Sequence, residues 1–298
     1  MPAVAAARPS KSVRVPGPAR PFLKWAGSKK QLLAAFVPLF PRVAEMTGYH
    51  EPFVGSGAVF FHAKSVIAPR RCSLSDNNAE LMAAYTAVRD DVDKVIAALE
   101  HHRARHNEEH FYKVRSIAPD ELATLSAVER GARLIYLNKT CFNGLYRVNS
   151  RGLYNVPMGR YVNPGILDVD LLRAASAALQ EVKLATAEFS SVLKRARPGD
   201  VVYFDPPYVP VSDTAYFTAY TKGAFGEAEQ RQLADVYRQL DARGCRVMLS
   251  NSDTPLVREL YRGYDLRDLL AKRTINSKSD RRGDVREVLV LNYLPTVP

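Results

Sequence analysis

The stretch "VVYFDPPYVP", residues 201–210, places the tightest constraint on the fold. Its β-branched and aromatic run reads as a buried strand, and Pro206 and Pro207 must end that strand because proline gives no ladder donor. Asp205 therefore stands at a strand's carboxyl end, the edge at which open α/β sheets bind ligands. A carboxylate and the Tyr208 ring, fixed there by two prolines, point to a site. The alternative is a plain Asp-Pro-Pro turn with Tyr208 packed on the core.

The flanking sequence alternates in the same sense. "YHEPFV" reads as a short strand, "GSG" as a tight turn and "AVFFHAKSV" as a helix. "CSLSDNN" is a second strand ending at Asp76, followed by helical sequence from "AELMAAYTAV" to "VDKVIAALEHHRARH". Beyond "DVVYF" come the helix "EAEQRQLADVYRQLDARG", the strand "RVMLSN" and a terminal "EVLVLNY". This order predicts an α/β fold with a mostly parallel, doubly wound sheet. A long segment between the second strand and "DVVYF" breaks the alternation and reads as an inserted, mostly helical unit. Within it, "LYRVNSRGLYNVP" forms two extended runs around the turn "NSRG", a β-hairpin carrying Tyr146, Arg147, Arg151 and Tyr154. A two-stranded ribbon fits the DNA major groove, though a solvated surface hairpin would carry the same charges.

Charge and cysteine content narrow the classes of partner. The net charge is +11 over 298 residues, which calls for an acidic partner, nucleic acid or a membrane surface. No apolar stretch reaches the length of a membrane span, and neither end carries a lipidation pattern. Cys72, Cys141 and Cys245 are odd in number and form no C-x-x-C pair, which suits a reducing cytoplasm. The first twenty residues, "MPAVAAARPSKSVRVPGPAR", are basic, acid-free and broken by proline, and read as a disordered tail that contacts phosphates. An organellar transit peptide has similar composition, but its amphipathic helix is spoiled here by the prolines.

Further residues suggest a cofactor. Gly55 and Gly57 lie between a strand and a helix, where absent side chains let backbone approach a ligand. The third glycine of a dinucleotide fingerprint is Phe60, which argues against nicotinamide. Asp76, about twenty residues on, stands where a carboxylate takes ribose hydroxyls, and Phe53 is available for stacking. An adenosine-bearing cofactor fits that set; helix capping is the other reading of Asp76. In "KWAGSKKQLL", Trp25 packs in the core or joins a cofactor site in which Lys29 supplies the cation for a carboxylate. His102, His106 and His110 recur at helical spacing and read as a charged helix face rather than a metal site. Asp168 with "EVK" only faintly resembles a nuclease's acidic cluster.

Taken in order, "FLKWAGSKK", "EPFVGSG", "LSDNN", "NGLYRVNSRGLYNVPMGRY", "DPPY" and "LSNSDTP" resemble the DNA adenine methyltransferase family, over about Phe22 to Tyr293. The resemblance implies an S-adenosylmethionine-dependent N6-adenine methyltransferase. Its Rossmann-like catalytic domain would comprise residues 21–80 and 168–298, interrupted by a target-recognition domain at 81–167, with residues 1–20 as an extra tail. Trp25, Lys29, Asp76 and Asp205 match the family's cofactor contacts, and Asp205, Pro206, Pro207 and Tyr208 its catalytic motif. Lys24, Asn143, Leu145, Arg147, Pro157, Arg160 and Tyr161 are the expected contacts to duplex DNA, with GATC as the expected target. Ser28 stands where the family usually has glycine. A cytoplasmic monomer without metal is expected, in a restriction-modification, phage or housekeeping role. Other amino-group acceptors (cytosine N4, RNA adenine or protein glutamine) and a non-catalytic DNA-binding subunit are the rival readings.

DNA affinity is expected to fall steeply with salt. With six phosphate contacts the log–log slope is about −5, because each neutralised phosphate releases condensed counterions. A flat response in a fluorescence-anisotropy titration would assign the positive charge to something other than phosphates.

Overall fold

The structure, a computed structural model, describes residues 17–27, 29, 32–42, 46–66, 69, 71–208, 225–272 and 284–295. Ser28 and residues 1–16 of the basic tail lie outside them.

Seven strands form one sheet: β1 (Tyr49–Glu51), β2 (Cys72–Asp76), β3 (Lys183–Thr186), β4 (Val201–Phe204), β5 (Arg246–Ser252), β6 (Asp265–Lys272) and β7 (Asp284–Leu291). Their spatial order is β3-β2-β1-β4-β5-β7-β6. The first five are parallel, with Tyr49 in register with Cys72 on one side and Val201 on the other. β7 runs antiparallel between β5 and β6. This is the mostly parallel, Rossmann-like doubly wound sheet expected, and its strand order reverses between β1 and β4, where such sheets open a ligand crevice.

The "VVYF" run explains why β4 is central. Val201 and Tyr203 pack into one hydrophobic cluster and Val202 and Phe204 into another, so the alternation of a strand serves two buried faces. Two other strands escaped the sequence reading. β3 is "KLAT", an edge strand whose residues are only half-buried or exposed, so it lacks an apolar run. β6, "DLRDLLAK", is also an edge, paired on one side to β7, and its scattered charges hide the extended pattern.

The helices are α1 (Leu33–Phe36), α2 (Ala58–Val66), α3 (Ala79–Asp90), α4 (Val92–Ala104), α5 (Glu108–Arg115), α6 (Pro119–Thr124), α7 (Ala127–Thr140), α8 (Val169–Leu179), α9 (Glu227–Ala242) and α10 (Pro255–Leu260). The expected domain boundary between residues 80 and 81 falls inside α3. Leu81, Ala84 and Tyr85 of that helix bury against the same cluster as Phe22, Phe60 and Phe61, so α3 belongs to the layer that covers the sheet. It also carries α7: a Cβ at Gly131 would meet the Ala87 Cβ at 2.9 Å, so glycine permits the close crossing of the two helices. The histidines form no solvated face. His102 stacks on Tyr136 at 4.7 Å and bonds His110 at 3.0 Å, and burial lowers its pKa to about 4. Asp168 caps α8 by accepting from the Leu171 N–H at 3.0 Å.

At the opposite end of the sheet from the crevice, Asp200 enters β4 fully buried. It accepts hydrogen bonds from Thr47 (2.6 Å), Arg71 (2.6 Å) and the Arg197 N–H (2.9 Å), and contacts His50 Nε2 at 2.9 Å. Burial pushes its pKa up, but those bonds outweigh it and hold the carboxyl below its ordinary range. This network fixes the amino ends of β1 and β4. Asp200→Ala is expected to cost about 3–5 kcal/mol of unfolding free energy, the usual effect of stripping one partner from a buried charged network. Urea denaturation measures it.

Candidate active site

A cleft of about 580 Å³ opens at the carboxyl ends of β1, β2 and β4, within the size range of small-molecule sites. Three carboxylates stand on its wall, one per strand end: Glu51, Asp76 and Asp205. Burial raises the pKa of each. Glu51 is carried to about 8, opposed by the hydrogen bond it accepts from the Tyr49 hydroxyl at 2.6 Å. Asp76 is opposed by the backbone N–H groups of Asn78 (3.0 Å) and Gly55 (3.2 Å). Asp205 is opposed by Lys29 at 2.8 Å and by the Ser250 hydroxyl at 3.1 Å. Three acids thus line one cleft of a protein with net charge +11, and Glu51, carried to about 8, is largely protonated near neutral pH.

The Gly-rich turn gives this wall its shape. Gly55 and Gly57 have φ of +47° and +68°, the left-handed region that favours glycine. Their missing side chains also serve the protein's own rings. A Cβ at Gly55 would lie 3.0 Å from the Trp25 ring, and one at Gly57 would lie 2.6 Å from the Tyr85 hydroxyl oxygen. Gly55 lines the cleft, and the space beside Gly57 is taken by Tyr85. Trp25 lines the cleft while stacking on Tyr146 at 5.4 Å, and Phe53 does so while stacking on Phe189 at 5.4 Å.

Lys29 lines the cleft together with Asp205 and Tyr208. Its ammonium bonds Asp205 Oδ1 and the Gly27 carbonyl, each at 2.8 Å, and lies 4.4 Å from the centre of the Tyr208 ring. Pro206, Pro207 and Tyr208 line the same cleft, and the Tyr208 hydroxyl donates to Glu287 of β7 at 2.7 Å.

The expected DNA-contacting residues lie on the hairpin, on the loops at its base and on the Lys24 segment, which is joined to them through Asn138 and the Trp25–Tyr146 stack. The hairpin closes through a Val148–Tyr154 bridge, and Cys141 pairs with Met158 at its base. Arg147 is exposed, but its guanidinium is held across the hairpin by the Asn155 side chain at 2.7 Å, which pre-orients it. Pro157 and Arg160 are exposed, Leu145 is half-buried, and Lys24 lies over the Tyr161 ring at 4.8 Å. Asn143 adopts φ +54°, an uncommon state for a non-glycine residue.

Four residues in or near the candidate site went unassigned in the sequence. Glu51 obeys the same logic as Asp76 and Asp205, an acid at a strand's carboxyl end. Phe142, 49% exposed beside Asn143, stands out only once burial is known. Ser250 and Asn138 look like ordinary strand and helix residues. Asn138 is buried and binds the backbone of both Lys24 and Gly144.

A mostly parallel sheet with a cleft at its switch point and a basic hairpin in the same chain places the protein in the class of α/β proteins whose sites lie at strand carboxyl ends. The family model for D12 class N6 adenine-specific DNA methyltransferases matches residues 25–275, and the chain belongs to that family. A type II methyltransferase of Lactococcus lactis subsp. cremoris is 41% identical, covering 92% of this chain and 95% of its own length. One of Methanocaldococcus jannaschii is also 41% identical, covering 92% and 99%. The DNA adenine methylase of Escherichia coli K12 is 36% identical, covering 93% and 96%.

The two sources of glycine dependence can be separated. Gly57→Ala combines a positive φ with displacement of the Tyr85 hydroxyl, whereas Gly27→Ala has φ +76° and nothing within 4 Å. Gly27→Ala is expected to cost about 1 kcal/mol and Gly57→Ala about 2–3 kcal/mol, read by urea denaturation. Equal losses would mean that Tyr85 moves freely.

Proposed function

We propose that the cleft binds S-adenosylmethionine and that Asp205 and Pro206 receive the N6 amino group of an adenine flipped out of duplex DNA, within GATC. The observation that carries this reading is that Asp76, at the end of β2, and Asp205, just after β4, meet on one cleft at the sheet's switch point, since the proposed cofactor bears ribose hydroxyls, a sulfonium and an ammonium. The residues fit it. Asp76 uses its backbone bonds to fix its own orientation and keeps lone pairs for ribose hydroxyls, while Phe53, Val54 and Val59 offer an apolar wall. Bound there, the cofactor supplies an electrophilic methyl on sulfur.

The protein's part is to prepare the amine. An adenine amino group is a poor nucleophile because its lone pair is delocalised into the ring. The Asp205 carboxylate and the Pro206 carbonyl each accept an N6 hydrogen, so the nitrogen pyramidalises and its lone pair turns toward the methyl. As the new nitrogen–carbon bond forms and the carbon–sulfur bond breaks, Asp205 takes up the departing N6 proton. Tyr208 stacks on the extruded base. A preorganised polar contact of this kind is worth about 3–4 kcal/mol, and alignment of the reactants roughly 7–11 kcal/mol, so placement dominates.

Asp205→Ala is expected to abolish methyl transfer from labelled S-adenosylmethionine to unmethylated duplex while leaving DNA affinity near the parent's; turnover within tenfold of the parent would sink the catalytic role. Asp76→Ala should instead weaken cofactor binding by about 1.5–3 kcal/mol, and unchanged affinity by calorimetry removes that assignment. Arg147, pre-oriented by Asn155, is the proposed guanine reader. A bidentate contact carries about 1–3 kcal/mol of discrimination, so Arg147→Ala should narrow the kcat/KM lead of GATC over its single-base variants. If every site slows alike, Arg147 binds phosphate instead.

A further inference from the structure

We infer that Lys29 and Ser250 are positioning residues for Asp205: both bind its Oδ1, and so leave Oδ2 as the oxygen presented to the target amine. The inference rests on the methyl-transfer reading above and names which residues aim its acceptor. Among the described residues, Oδ1 accepts from Lys29 at 2.8 Å and from Ser250 at 3.1 Å, and Oδ2 accepts from none. The two donors come from different parts of the fold, the segment before α1 and strand β5, so they fix the carboxylate plane from two directions.

Each donor is itself constrained. Ser250 is fully buried and its hydroxyl has one proton. Given to Asp205, that proton leaves the oxygen to accept from the Tyr203 hydroxyl, 2.9 Å away and equally buried. An ammonium has three protons. Those of Lys29 are spent on Asp205, on the Gly27 carbonyl at 2.8 Å and on the face of the Tyr208 ring at 4.4 Å. So placed, Lys29 links the acceptor to the aromatic ring of the same motif, and Glu287 holds that ring by its hydroxyl at 2.7 Å.

The arrangement also sets the acid limit of the reaction. Asp205 is faced by Lys29 and Ser250, by Tyr203 and Tyr208 of its own segment, by Glu51 at the end of β1 and by Glu287 on β7. Burial raises its pKa, and only Lys29 and Ser250 oppose the rise. An acceptor must be ionised, so activity is lost as pH falls through the folded-state pKa. Removing either donor raises that pKa and moves the loss to higher pH.

Ser250→Ala, Ser250→Thr and Lys29→Met, compared with the parent, test this. For Ser250→Ala we expect kcat to drop at least tenfold, KM for DNA and cofactor to stay within threefold, and the acid limb to rise by about one pH unit, as loss of a hydrogen bond to a charged group implies. Ser250→Thr, which keeps the hydroxyl, should restore the acid limb. Lys29→Met should show a larger rise, with kcat at saturating S-adenosylmethionine reduced at least tenfold. Carbon-13 NMR titration of the Asp205 carboxyl, assigned by its loss in Asp205→Asn, reads the same shifts in free protein without any turnover. An unmoved carboxyl titration in Ser250→Ala, or a cofactor affinity lost more than tenfold in Lys29→Met with kcat retained at saturation, overturns the inference. A parent that methylates no adenine would sink the functional reading instead, and the NMR arm would still decide this one. Thermal melts show whether each variant is folded, and Ser250→Ala alone suffices should Lys29→Met not fold.

Discussion

The buried carboxamide of Asn138, on α7, accepts from the Lys24 N–H at 2.8 Å and donates to the carbonyls of Lys24 (2.6 Å) and Gly144 (2.8 Å). It therefore joins the segment that carries Trp25 and Lys29 to the loop that carries Asn143 and the hairpin. A buried amide with its donors and acceptor satisfied is costly to disrupt, because any rearrangement strands a polar group away from water. Two further contacts cross the same boundary: the Trp25–Tyr146 stack, and Lys24 packed so closely on Gly144 that a Cβ there would meet it at 2.6 Å. The cleft and the basic surface are thus held in one relation, which a reaction between a bound cofactor and a base drawn from a duplex requires.

Electrostatics divide the molecule by location rather than by total. The net charge of +11 attracts a polyanion, while the cleft concentrates Glu51, Asp76 and Asp205 with a single closely paired cation, Lys29, among its described lining residues. Burial raises the pKa of all three acids, so each is ionised only to the extent that neighbouring donors support it. An arriving cation adds to that support. The chain's two proposed substrates, one cationic and one anionic, are thereby drawn to different surfaces.

The site was legible where one residue type has one plausible use. Asp205 could be placed at a strand's carboxyl end because two prolines must stop the strand, and the cleft is found there. Asp76 followed from its spacing after the Gly-rich turn. Lys29 and Gly57 were assigned to a ligand on the same grounds, and spacing does not announce the protein partners that the structure gives them: Lys29 pairs with Asp205, and Gly57 makes room for Tyr85. Those partners lie far away in sequence. Glu51 was visible in the same motif, whereas nothing local distinguishes Ser250 from any other serine on a strand.

The sequence by itself determined the alternation of strands and helices, the buried strand at "VVYF", the hairpin at "NSRG" and the family, because each is written in short-range pattern: periodicity, proline stops and motifs in order. The tertiary structure alone decided that β3 and β6 are edge strands, since a strand paired on one side needs no apolar run to announce it. It alone decided that α3 belongs to the sheet's covering layer, because which buried face meets which is a matter of packing between elements. And it alone decided which oxygen of Asp205 is engaged, since Lys29, Ser250 and Asp205 come from three segments that meet only when the sheet has formed.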